Sequence, residues 1–220
     1  MPVQTLQLVI FDCDGVLVDS ETISNEVLAR MLTEQGLPTT LAEARRAYQG
    51  LLLSDVVEHA EAGLGHALPV DWLTDYERER TEAFRHELRP VSGATEAVEA
   101  VRRAGVRMCV ASQGKLEKTR LSLELTGLRH LFPDRALFSA YSVPRGKPHP
   151  DLFLHAATTM GAKPSGCVVV EDTPSGVRAG IAAGMRVLGY MADSDEQALR
   201  EAGAEPFSLL AELPELLGLT

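Results

Sequence analysis

Short apolar runs alternate with amphipathic stretches along most of the chain. Leu6–Phe11, Val106–Ala111, Ala136–Phe138, Cys167–Val170 and Arg186–Tyr190 read as strands. Runs that are apolar on both faces suit strands covered on both sides. Helices are predicted over Thr95–Ala104, Leu116–Thr126, Pro150–Met160, Ser175–Ala183 and Asp195–Ala202. Gly105, Gly161, Gly184 and Gly203 fall where these helices should stop. Strand–helix alternation of this kind predicts an α/β fold, a doubly wound parallel sheet with helices on both faces.

The stretch from Val18 to Leu88 breaks the pattern. It holds no convincing strand and reads as four helices, Glu21–Gln35, Leu41–Tyr48, Ser54–Ala62 and Trp72–His86, separated by Pro38, Gly50, Gly63 and Gly65. The expected organisation is therefore a core built from residues 1–17 and 89–220, with an all-α insert over residues 18–88. The Arg89-Pro90-Val91-Ser92-Gly93 segment would return the chain to the core.

Composition narrows the class. The 220 residues are 45% hydrophobic and 24% charged, ordinary for a soluble globular protein. A net charge of −10 argues against broad binding to nucleic acid or to anionic membrane surfaces, so neither partner is expected. Any anionic substrate must then be met by local positive charge. Cys13, Cys109 and Cys167 form no CxxC pair and sit in or beside apolar runs, which suggests reduced core thiols and a cytoplasmic protein. The first apolar run lacks a basic region before it and is too short for a secretory signal.

The candidate chemistry lies at the strand ends, where open parallel sheets place their sites. The first strand ends in Asp12 and Asp14, the second in Ser112, and the fourth in Glu171 and Asp172, while Lys147 occupies a loop before a helix. Two carboxylates as close as Asp12 and Asp14 repel, and burial raises that cost. A divalent cation is the simplest device for holding four carboxylates together, and all-oxygen ligation favours Mg2+ over Zn2+. The Asp-x-Asp-Gly run is no EF-hand loop, because Val16-Leu17-Val18 stands where further ligands should be.

The stretches "DCDGVLVDSE", "ASQG", "GKPHPD" and "VVVEDTPSGVRAG" resemble the four motifs of the haloacid dehalogenase superfamily, in order and over nearly the whole chain. The helical insert resembles the cap of its first subclass, the branch of phosphoglycolate phosphatase-like enzymes and β-phosphoglucomutase. The resemblance implies a Rossmann-like core and assigns roles. Asp12 would be the nucleophile and form an aspartyl phosphate. Asp14 would act as general acid and then as base. The Asp12 carboxylate, the Asp14 backbone carbonyl and Asp172 would hold Mg2+, with Glu171 close by or acting through water. Ser112 and the Gln113 backbone N–H would hold phosphoryl oxygens, and Lys147 would bridge Asp12 and the phosphoryl group. The second aspartate favours phosphoryl chemistry over dehalogenation, which has no alkoxide to protonate.

The cap departs from the mutases. Ser24 stands where they usually have histidine, and Leu53 of Gly50-Leu51-Leu52-Leu53 where they have an arginine. The leucines read either as packing inside the cap or as an apolar wall over the active site. Arg45, Arg46 and Lys115 are candidate anion contacts, whereas His149 and His155 show no metal-site spacing. "FSAYSVPRGKPHPDLFLHAATTMGA" and "YMADSD" resemble the bacterial 6-phosphogluconate phosphatase group. The expectation is a Mg2+-dependent phosphatase acting on a small phosphorylated metabolite, as a monomer or weak homodimer. A sugar-phosphate mutase and a non-catalytic binding protein on the same fold are the alternatives.

Overall fold

The computed structural model describes residues 6–191 and 194–219. Six parallel strands form one sheet: β1 (Leu8–Phe11), β2 (Arg107–Ser112), β3 (Leu137–Ser139), β4 (Cys167–Glu171), β5 (Arg186–Tyr190) and β6 (Glu205–Phe207). Their order is β3-β2-β1-β4-β5-β6. From β1 the chain moves outward through β2 to β3, then crosses back to β4 and moves outward the other way. With right-handed crossovers the two halves carry their helices on opposite faces. The order reverses between β1 and β4, which marks the crevice where α/β sheets place ligands.

β1 lies at the centre with its four residues buried, pairing with β2 through Ile10↔Cys109 and with β4 through Ile10↔Val169. The connecting helices are α5 (Ala94–Arg103), α6 (Leu116–Leu125), α7 (Asp151–Thr159), α8 (Pro174–Ala182) and α9 (Glu196–Ala202), and a short α10 (Leu213–Leu216) follows β6. The five strands and five helices expected for this core are present with ends shifted by a residue or two. The sixth strand, β6, was not anticipated: it is three residues long and contains Pro206, which only an edge tolerates. All three cysteines are free and buried, and burial pushes the Cys13 thiol up, so they pack as small core residues.

The chain divides into two compact units, Met1–Val18 with Pro90–Thr220, and Asp19–Arg89. The chain leaves and re-enters the first unit side by side, where Val18 bridges Pro90 and the Val91 N–H donates to the Leu17 carbonyl at 3.0 Å. The second unit is helical: α1 (Glu21–Glu34), α2 (Leu41–Tyr48), α3 (Leu53–Leu64) and α4 (Trp72–Glu87). A full capping box starts α2, with Thr40 and Glu43 each satisfying the other's backbone N–H. Its core includes Leu28, Met31, Leu32, Val56, Trp72 and Tyr76, with the last two rings stacked at 5.9 Å.

Candidate active site

The site is built where β1, β2 and β4 end. Past Phe11 the backbone is still tied to β4, since the Asp12 N–H donates to the Val170 carbonyl at 2.9 Å. The chain then turns sharply. The Leu17 and Val18 N–H groups both donate to the Cys13 carbonyl, and Val16, Leu17 and Val18 are buried. That burial explains the apolar run after Asp14: it anchors the turn carrying both aspartates. Gly15 adopts φ +77°, and a Cβ there would lie 2.1 Å from Asp172 Oδ2. Only glycine lets this turn close against the Asp172 carboxylate.

Asp12, Glu171 and Asp172 are buried, and each offers a carboxylate oxygen within 4.8 Å of the others. Lys147 reaches them from the loop before α7, where its Nζ donates to Asp12 Oδ1 at 2.7 Å and to Glu171 Oε1 at 2.6 Å. Its ammonium also stands 5.2 Å from the centre of the Phe153 ring. Burial would lower the Lys147 pKa, but Asp12 and Glu171 outweigh it and hold the ammonium charged. Asp12 is pushed up to about 7, chiefly by burial; Lys147 pulls it down, while Glu171 and Asp14 push it further up.

The other oxygen of Glu171 is also engaged. Glu171 Oε2 accepts the Thr173 N–H at 2.8 Å and its hydroxyl at 2.9 Å. The Thr173 hydroxyl in turn caps α8 by accepting the Gly176 N–H at 3.1 Å, with Pro174 opening the helix. A Cβ on Gly176 would fall 1.7 Å from Glu171 Oε1, so this carboxylate lies directly against the start of α8. The helix N-terminus favours the negative charge there.

Asp14 faces a different group. Its carboxylate accepts from the Lys118 ammonium and from the Ser112 hydroxyl, the latter at 3.4 Å. It stands outside the three-carboxylate cluster of Asp12, Glu171 and Asp172. Ser112 ends β2 and also accepts the Gly114 N–H at 3.0 Å. Gln113 lies half-buried beside it, with its side-chain amide turned to the Lys147 backbone. Lys118 and Thr173 did not emerge from the sequence reading. Lys118 has a signal in hindsight, since a cation in the first turn of α6 opposes the helix dipole and needs a nearby anion.

The structure thus brings Asp12, Asp14, Ser112, Gln113, Lys147, Glu171 and Asp172 to one end of the sheet. The cap candidates belong to the helical unit. Gly50 takes φ +77° between α2 and α3, Leu51 is exposed, Leu52 is half-buried and caps α3, and Leu53 opens that helix. The Arg45 guanidinium donates to the Thr22 hydroxyl within the same unit, and Arg46 is exposed. Lys115 lies over the Tyr141 ring at 5.9 Å, and His155 packs edge-on against Phe138. The "YMADSD" segment falls partly outside the described residues.

Chemically, four carboxyl groups face two ammonium groups in a site of oxygen donors. Buried acidic groups in such excess fit a hard divalent cation. The Gly15 turn, which has no room for a side chain, keeps Asp172 available to the same space. Among the described residues no helix is long and apolar enough to cross a membrane.

The chain is similar to known proteins over nearly its whole length. Residues 6–184 match the family model of haloacid dehalogenase-like hydrolases. The chain is 33% identical over 212 residues to 6-phosphogluconate phosphatase of Escherichia coli, covering 96% of this chain and 94% of that protein. It is 30% identical to the phosphorylated carbohydrates phosphatase of Thermotoga maritima, covering 96% of this chain and all of the relative. A haloacid dehalogenase family hydrolase from Deinococcus radiodurans, solved with bound phosphate and sodium, superposes with a TM-score of 0.79 at 32% identity over 99% of this chain and 98% of that one. Because the match runs from the strand before Asp12 to the helix that Thr173 caps, it takes in every element that builds the site, and the chain belongs to the haloacid dehalogenase-like hydrolase family.

Proposed function

We propose that this hydrolase is a Mg2+-dependent phosphatase of small sugar phosphates or sugar-acid phosphates, acting through an aspartyl phosphate on Asp12. The observation that carries the reading is the buried Lys147 shared between Asp12 and Glu171, beside an excess of carboxylates. A nucleophilic carboxylate approaching a phosphate dianion needs its charge neutralised from both sides. Lys147 supplies one side. Asp12, Asp172 and the Asp14 carbonyl are the groups that would hold Mg2+, which neutralises charge on the phosphoryl oxygens when bound.

The remaining steps belong to the chain's own groups. An oxygen of Asp12 attacks phosphorus and the ester oxygen leaves. Asp14 gives that oxygen a proton and then takes one from the water that hydrolyses the acyl phosphate, returning Asp12 and releasing inorganic phosphate. Ser112 and the Gln113 N–H hold phosphoryl oxygens near the start of α6. Lys118 holds the Asp14 carboxylate while Lys147 holds that of Asp12, so that the two aspartates serve different oxygens. Relatives named for 6-phosphogluconate and for phosphorylated carbohydrates support the substrate class. The chain's excess of acidic groups, at a net charge of −10, fits a metabolite better than a polyanion.

The test is phosphate release from a panel of phosphorylated sugars, sugar acids and nucleotides, with Mg2+ and with EDTA. Release from 6-phosphogluconate or a related ester, abolished by EDTA, is the expected result. Release from nucleotides alone would overturn the substrate class. Formation of glucose 6-phosphate from β-glucose 1-phosphate faster than phosphate release from any ester would favour the mutase.

A further inference from the structure

The side chain of Gln113 has no part in the mechanism above, which uses only its backbone N–H. Its amide nevertheless makes a two-point contact with the backbone that carries Lys147. Gln113 Oε1 accepts the Lys147 N–H at 3.0 Å, and Gln113 Nε2 donates to the Lys147 carbonyl at the long distance of 3.5 Å. The preceding residue, Gly146, is buried and lies under the same amide. A Cβ there would fall 2.8 Å from Gln113 Nε2 and 3.0 Å from Oε1. Gly146 lies outside the left-handed region of backbone space, so a side chain there would meet no backbone strain but would displace the Gln113 amide. The Gln113 amide thus occupies the position of a side chain on residue 146 and grips residue 147 from one side.

We propose that Gln113 is a positioning residue for Lys147, and that Gly146 exists in the sequence to admit its amide. The proposal rests on the phosphatase reading for its effect on turnover, but not for the contact itself. Lys147 stands on a loop between β3 and α7, with no sheet ladder to locate its backbone. Its ammonium must nevertheless meet two buried carboxylates at 2.6–2.7 Å. Tying this loop to the end of β2 fixes the lysine relative to Ser112. The group that neutralises the nucleophile and the group that holds the phosphoryl oxygens then move as one body. Displacing a reacting group by about 1 Å can cost on the order of 100-fold in rate.

The experiment has two arms. Hydrogen exchange at the Lys147 amide reads the contact without any substrate. Gln113→Ala is expected to speed exchange at that amide by about tenfold or more while the strand amides stay protected. Gln113→Glu, which keeps an acceptor, is expected to retain protection. In the second arm, Gln113→Ala lowers kcat for the best ester by roughly 10- to 100-fold with KM changed little. Gly146→Ala, which touches no catalytic group, reproduces that loss. In a Lys147→Ala background, Gln113→Ala costs almost nothing further, because both act through one group. Unchanged exchange in a folded Gln113→Ala variant, or full multiplication of the two losses, would overturn the proposal. A wild-type protein that hydrolyses no ester would refute the phosphatase reading, and the exchange arm would still decide the contact.

Discussion

Lys147→Met removes the ammonium from the centre of the site while keeping an apolar stem against Phe153. The Lys147 side chain is 4% exposed, and its two partners, Asp12 and Glu171, are 9% and 0% exposed. At the observed separations, and at an effective dielectric constant of about 20, each attraction is worth roughly 6 kcal/mol before desolvation is set against it. Removing one partner of a buried ion pair costs about 3–5 kcal/mol net, since the survivors are left buried without compensation. That is a large share of the roughly 5–15 kcal/mol that keeps a domain folded.

The sign of the pH dependence follows from Asp12. Its folded pKa of about 7 lies above the ordinary carboxylate value, so in metal-free protein the associated stability is present at low pH and lost as pH rises toward 7. Without Lys147, which pulls Asp12 down, that loss extends to higher pH. The difference between wild type and Lys147→Met in urea unfolding with EDTA should therefore be larger near pH 8.5 than near pH 6, at about 3–5 kcal/mol in the alkaline sample. A difference below about 1 kcal/mol at the higher pH, or a larger one at the lower pH, would refute the reasoning.

Two other substitutions test separate parts of the site. Gly15→Ala must meet Asp172 Oδ2 and hold φ +77° with a Cβ, so it should raise the Mg2+ concentration for half-maximal activity about tenfold or more; unchanged Mg2+ dependence would remove Asp172 from the metal site. Lys118→Met removes the group that holds the Asp14 carboxyl in place, so the misplaced acid should lower kcat further for alkyl phosphates, which need protonation, than for p-nitrophenyl phosphate, which does not. Equal losses on both would assign Lys118 to phosphate binding instead.

How much of this was written visibly in the sequence depends on range. Leu8–Phe11 and Cys167–Val170 are legible because strands buried on both faces need uninterrupted apolar residues, and the polar residue that ends such a run points to the site. Strand β6 escaped because three residues that include a proline carry no strand pattern of their own; its place is set by pairing with β5 through Leu188↔Glu205. The pairing of Lys118 with Asp14 joins residues 104 positions apart, and that of Gln113 with Lys147 joins residues 34 apart. Local spacing cannot encode either contact. Thr173 is intermediate: a Thr-Pro start to α8 signals a helix cap, but its second bond, to Glu171, appears only in three dimensions.

The central claim is that Asp12 attacks phosphorus and becomes covalently phosphorylated. Asp14→Asn should slow both protonation of the leaving group and hydrolysis of the acyl phosphate, so an activated ester such as p-nitrophenyl phosphate should load the variant and leave it trapped. Acid quench followed by peptide mass spectrometry is the direct measurement. The account predicts a mass gain of one phosphoryl group on the peptide containing Asp12, chased away slowly after the ester is removed and absent from a variant that also carries Asp12→Asn. Turnover by wild type with no phosphorylated peptide in the variant, or a phosphoryl group on any other residue, would contradict it.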